Sequence, residues 1–127
     1  MTRTIMIAAN DPNIIYLLQR YAEESGFQTV KTSQDTDVLD LARQVKPALI
    51  IVETKLPGTL GWEMVRCLKA DPGIRDIPLV VYSCVEEDRC EPVEGVAGYL
   101  QESVMYDDFL ATLENAGVFS PGSSLDP

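Results

Sequence analysis

Short apolar runs alternate with amphipathic stretches along this chain, and that alternation predicts its elements. Thr4-Ile5-Met6-Ile7-Ala8 is too short for a helix and suits a buried strand. Asp11-Pro12 follows, Asp being a good N-cap and Pro being at home in the first helical turn. Ile14, Leu17, Leu18 and Tyr21 then recur at helical spacing until Gly26 ends the helix. Phe27 to Thr32 alternates weakly and reads as a second strand. Asp35 or Thr36 opens a second helix carrying Val38, Leu39, Leu41, Ala42 and Val45, and Pro47 stops it. Ala48 to Val52 is the third strand. Gly61 to Ala70 is a third helix, with Met64, Val65, Cys67 and Leu68 as its apolar positions, and Asp71-Pro72-Gly73 is a turn. Pro78 to Ser83 is a fourth strand, Ala97 to Leu100 a short fifth, and Val104 to Ala116 a last helix ended by Gly117.

Strands alternating with helices predict a doubly wound α/β domain, a five-stranded parallel sheet with helices on both faces in three α/β/α layers. About five helices are expected, but the segment from Cys84 to Val96 suits one poorly. It holds Pro92, Gly95 and the acidic residues Glu86, Glu87, Asp88, Glu91 and Glu94, with few apolar positions, so a helix there is short or irregular. Residues 1–118 are expected as the domain. Residues 119–127, rich in Ser, Gly and Pro, are expected as a flexible tail or the start of a linker.

Composition narrows the function. With 127 residues, 46% of them apolar, the chain is long enough for one domain with one core. No apolar run approaches the roughly 20 residues of a membrane span, and no signal-peptide pattern opens the chain. A cytoplasmic protein with no membrane association is expected. The formal charge of -10 argues against a nucleic-acid face. There is no histidine, which removes His-based catalysis and His-ligated metal or haem sites. The three cysteines, Cys67, Cys84 and Cys90, have no metal spacing and fit reduced thiols better than a disulfide framework. Cys84 and Arg89 stand one residue too close for a phosphatase loop, and its glycines are missing.

The chemistry centres on Glu53. In open α/β sheets ligands gather at the carboxyl ends of strands, and the third strand runs Leu49-Ile50-Ile51-Val52 into that carboxylate, followed by Thr54-Lys55-Leu56-Pro57-Gly58.

In order and spacing, the landmarks Ile5-Met6-Ile7-Ala8-Ala9-Asn10-Asp11-Pro12, Leu56-Pro57-Gly58 with Gly61, Asp76 to Ser83, and Gly95-Val96-Ala97-Gly98-Tyr99-Leu100 resemble those of the receiver domain of two-component response regulators. The resemblance covers about residues 3 to 117. It implies a flavodoxin-like sheet of strand order 2-1-3-4-5 and a signalling role. It places the phosphoacceptor aspartate at Glu53, the switch hydroxyl at Ser83 and the aromatic switch position at Tyr99. It also marks departures. The two acids that help hold Mg²⁺ fall at Ala9 and Asn10, and Asp11, one place later, reads as the helix cap. The lysine falls at Glu102, a reversed charge, and the proline after it at Ser103.

Phosphoryl transfer to a carboxylate needs a divalent cation and fixed positive charge, and Mg²⁺ usually takes one or two carboxylates. The replacements at Ala9, Asn10, Glu53 and Glu102 together predict a degenerate receiver: no enzyme, no cofactor, no metal site, and a phosphorylation-independent protein-interaction module in signalling. A kinase or an output protein would be the partner, or a second copy of the chain. The alternative is a receiver that still accepts phosphate or responds to a metal. A small flavodoxin-like enzyme is disfavoured, because Ala9-Asn10-Asp11-Pro12 offers no flavin-phosphate cradle. Glu53 reads either as a phosphoaspartate mimic or, preferably, as a solvated carboxylate at a strand end, with Glu102 pointing away from it. Ser83 and Tyr99 also have a plain reading, as a strand-end hydroxyl and an amphipathic aromatic, and Trp62 that of a half-buried helix residue. The expected interaction surface is Glu87, Asp88, Tyr99 and Tyr106. Tyr99, Met105, Tyr106 and Phe109 are possible apolar anchors on that face; Met105 and Phe109 read alternatively as core, on a plausible inner face of the last helix, which leaves Tyr106 the better surface candidate.

Overall fold

In the computed structural model, which describes residues 3–32, 35–53, 61–83, 96–101 and 105–117, the five apolar runs become five strands. These are β1 (Thr4–Ala8), β2 (Gln28–Thr32), β3 (Leu49–Glu53), β4 (Leu79–Ser83) and β5 (Val96–Gln101). The helices among the described residues are α1 (Pro12–Glu24), α2 (Asp35–Val45), α3 (Gly61–Ala70) and α4 (Tyr106–Asn115). The segment at 84–95, where a poor helix is expected, and the tail from 118 onward lie outside the described residues.

The sheet order is β2-β1-β3-β4-β5, as expected, and every pair is parallel. A parallel sheet covered on both faces needs apolar residues on both. β3 is accordingly buried along its whole length, whereas edge strand β2 keeps exposed positions at Gln28 and Lys31. Alternation sends Ile5, Ile7, Leu49, Ile51, Val80 and Tyr82 to one face, where they meet Leu18 and Ala22 of α1 and Phe109 and Leu113 of α4. Met6, Ala8, Ile50, Val52 and Val81 go to the other, against Val38 and Ala42 of α2 and Leu68 of α3. β5 approaches α4 closely: a Cβ on Gly98 would lie 3.0 Å from Thr112 Cγ2.

Local chemistry fixes the element ends. The Asp11 carboxylate accepts the Asn13 N–H at 2.9 Å and caps α1, with Pro12 in its first turn. Gly26, at φ 89°, takes the left-handed conformation just past the helix end. Beyond α3, the Asp71 carboxylate accepts the Gly73 N–H at 2.8 Å and Arg43 Nε–H of α2 at 2.8 Å. Those two donors, the backbone bond foremost, stabilise the charged form and hold its pKa below the usual carboxylate range. Lys69 Nζ donates to the carbonyls of Arg75 and Ile77, each at 3.0 Å, tying the end of α3 to the approach to β4.

The last helix corrects one expectation. It begins at Tyr106, two residues later than predicted, so Met105 is an extended N-cap residue at φ -96°, ψ 162° and leaves the helical period. Met105 is 65% exposed, whereas Phe109 is fully buried. Tyr106 turns inward instead, its ring centroid 5.4 Å from that of Tyr21 and its hydroxyl 3.5 Å from Ser25 Oγ. The inner face of α4 therefore runs Tyr106, Phe109, Leu113, the i, i+3, i+7 row counted from the true helix start.

Candidate functional site at the carboxyl ends of β1 and β3

β1 and β3 are neighbours at the centre of the sheet, and their connections leave in opposite directions, toward β2 and toward β4. That divergence opens the crevice where doubly wound sheets place ligands. The last β1–β3 partners are Ala8 and Val52. One step further lie Ala9 and Glu53, and then Asn10 and Asp11.

Glu53 is 5% exposed, the buried charged residue among those described. The expectation of a solvated carboxylate is therefore corrected. Glu53 belongs to β3 itself and pairs with Tyr82 of β4, so its side chain starts from a fully covered strand. Its alternation follows Leu49 and Ile51, toward the α1 and α4 face. Burying a carboxylate without partners is costly. Here Glu53 Oε2 accepts the backbone N–H of Asn10 at 2.7 Å, across 43 positions of sequence. That length is typical of a charge-assisted bond.

The residues around it close the site. Ala9 is 1% exposed, and its N–H donates to the Thr32 carbonyl of β2 at 3.1 Å. The Asn10 side chain faces solvent. Asp11, directly after Asn10 in sequence, spends its carboxylate on the cap of α1, as its position before Pro12 suggests. This donor set does not fit a receiver-type divalent cation. Ala9 offers no side-chain oxygen, Asn10 offers only a neutral one, and one oxygen of Glu53 is already engaged. Among the described residues, no group of three or more His, Cys, Asp or Glu converges as metal ligands.

The remaining predicted positions are placed only in part. Ser83 is the last residue of β4, opposite Gln101, and Tyr99 stands in β5 opposite Val81. Glu87, Asp88 and Glu102 lie outside the described residues, as do Cys84 and Cys90. Cys67 is a free, exposed thiol. Sequence reasoning missed the partner of Glu53, because a backbone N–H left over beyond a strand pair carries no residue-type signature. It also missed Tyr16, 61% exposed on α1, where its hydroxyl accepts a bond from Arg20.

No family model matches the chain. Curated relatives do. The chain is 29% identical over 119 residues to the polar-differentiation response regulator DivK of Brucella ovis, covering 91% of this chain and 96% of that protein. In structure it is similar to a sensor protein from Polaromonas sp. JS666, with a TM-score of 0.80 and 25% identity over 90% of this chain and 94% of the other. It superposes equally well on the response regulator receiver domain (CheY-like) from Methylobacillus flagellatus, with a TM-score of 0.80 and 19% identity over 91% of this chain and 99% of that one. No helix among the described residues is long and apolar enough to cross a membrane. With the strand order and the crevice in place, the chain shares the CheY-like fold of response-regulator receiver domains and is similar in sequence to a response regulator of that kind.

Proposed function

We propose that the domain acts without phosphorylation, as a protein-interaction module in signal transduction. One observation carries the reading: the carboxylate at the phosphoacceptor position is buried and bonded to the Asn10 N–H. An in-line attack on a phosphodonor needs an oxygen facing the donor and a cation to gather the transferred charge. Glu53 is turned into the fold, and its neighbours Ala9 and Asn10 supply no carboxylate. The domain is then no enzyme and has no cofactor. Its partners are other signalling proteins, a kinase or an output protein, in the cytoplasm.

Incubation with a small phosphodonor and Mg²⁺, followed by intact mass, should give no added phosphoryl group. A stoichiometric, base-labile phosphoryl adduct on Glu53 would overturn the proposal.

Without a phosphate switch, function rests on surface. The face of the last helix and β5 remains the preferred one, with its membership revised. Tyr106 packs against α1, so its removal would disturb the fold, whereas Met105 stands out in solvent beside the exposed acids Asp107 and Asp108. Met residues are favoured at interface cores. Met105→Glu should therefore weaken partner capture or self-association by about tenfold, the scale of an anchor residue, with folding unchanged. Glu53→Gln should leave association intact. Pull-down and sedimentation compare the two, and the reverse pattern would mean that the crevice still controls the surface.

A further inference from the structure

Asn10 lies beyond the last β1–β3 pair, so the sheet offers its N–H no partner. It also lies just ahead of the Asp11 cap, at the positive end of α1. In doubly wound sheets a free backbone N–H at this place is where an external anion would dock. Here the chain supplies its own anion. We propose that Glu53 is a built-in latch: its carboxylate serves as an intramolecular ligand that pins the β1–α1 loop to β3 across the crevice and holds the domain in one conformation.

Three observations support the latch. Glu53 Oε2 sits 2.7 Å from Asn10 N. The carboxylate is nearly inaccessible, 5% exposed at the level of the whole residue, as a permanent ligand requires. The loop is held on its other side as well, because the Ala9 N–H donates to Thr32 of β2. Successive N–H groups of one short loop thus tie it to both neighbouring strands.

The latch explains why Glu, one methylene longer than Asp, stands here. Shortening the side chain by one C–C bond, about 1.5 Å, would draw the oxygen out of hydrogen-bonding range of Asn10. Gln keeps the length and an acceptor oxygen. The order of effects is therefore opposite to that of a site needing only negative charge: Glu53→Asp is the damaging change and Glu53→Gln the mild one.

Amide hydrogen exchange at Asn10 reads this directly and needs no phosphodonor, so the latch and the proposed function fail separately. In the wild type the Asn10 amide should be protected although it lies outside the sheet. In Glu53→Asp and Glu53→Ala it should exchange roughly ten- to a hundredfold faster, the scale of a lost buried bond, while amides of Ile50 and Ile51 keep their protection. Glu53→Gln should stay within about fivefold of the wild type, as a neutral bond replacing a charged one. Millimolar to molar acetate should restore part of the lost protection in Glu53→Ala by entering the vacated place. If that variant does not fold, the wild-type protection of Asn10 and the comparison of Asp with Gln decide alone. An unprotected Asn10 amide in the wild type, or an Asp variant as protected as the wild type, would sink the latch.

Discussion

Phe109→Ala should cost about 3–5 kcal/mol of folding stability, the usual range for emptying a buried aromatic site. Phe109 is fully buried on the α1 face of the sheet, in one cluster with Leu18, Ala22, Val80, Leu100 and Leu113. Its ring centroid is 5.6 Å from that of Tyr21, which in turn meets Tyr106. Phe109 thus joins α4 to α1 over the sheet, and its loss leaves a void flanked by both helices. A domain is stable by only about 5–15 kcal/mol, so the change should be evident as a large fall in the urea midpoint. Phe109→Leu should cost less, since the branched side chain refills part of the volume. Met105→Ala should stay within about 0.5 kcal/mol of the wild type, as exposed changes do. Helical spacing alone would put both residues on one inner face. A Met105→Ala variant as costly as Phe109→Ala would place Met105 inside the helical period and in the core.

That comparison shows where sequence reading succeeds on this chain. Signals carried by neighbouring residues were legible. Asp11-Pro12 announced the cap of α1, and the bond from the Asn13 N–H to Asp11 realises it. Runs such as Ile50 to Val52 announced buried strands, and the alternation of strand and helix announced the parallel sheet. The start of α4 was harder. Val104 and Met105 are apolar and extend a helical period backward on paper, but the Met105 N–H goes to the Asp108 carboxylate at 3.1 Å, and the helix begins after it. Glu53 was harder still. A carboxylate at a strand end is ordinarily solvated, and what satisfies this buried one is a main-chain donor 43 residues away. Only the register of β1 against β3 brings the two together.

The same register gives the second large effect. Ala9→Asp should destabilise the domain by about 3–5 kcal/mol, the cost of leaving a buried charge uncompensated, with a Tm fall on the order of 10 °C or more. Ala9 is 1% exposed and packs on the same face of the sheet as Ile5 and Ile7, the face that Glu53 also follows. A carboxylate there would be buried near another, and like charges in one site oppose ionisation. Adding Asn10→Asp and Glu53→Asp changes the outcome in a specific way. Three carboxylates then converge at the ends of β1 and β3, a donor set that a hard divalent cation prefers. The triple variant should be unstable in chelator and should gain stability saturably with Mg²⁺, by about 2.7 kcal/mol at a hundredfold excess over the dissociation constant. The wild type should show no such dependence, because one Glu53 oxygen is held by Asn10 and Ala9 provides no ligand. Thermal melts with and without Mg²⁺ test both halves. An Ala9→Asp variant as stable as the parent, or a wild type that Mg²⁺ stabilises as strongly as the triple variant, would show that the crevice still has room for the cation and that Glu53 does not close it.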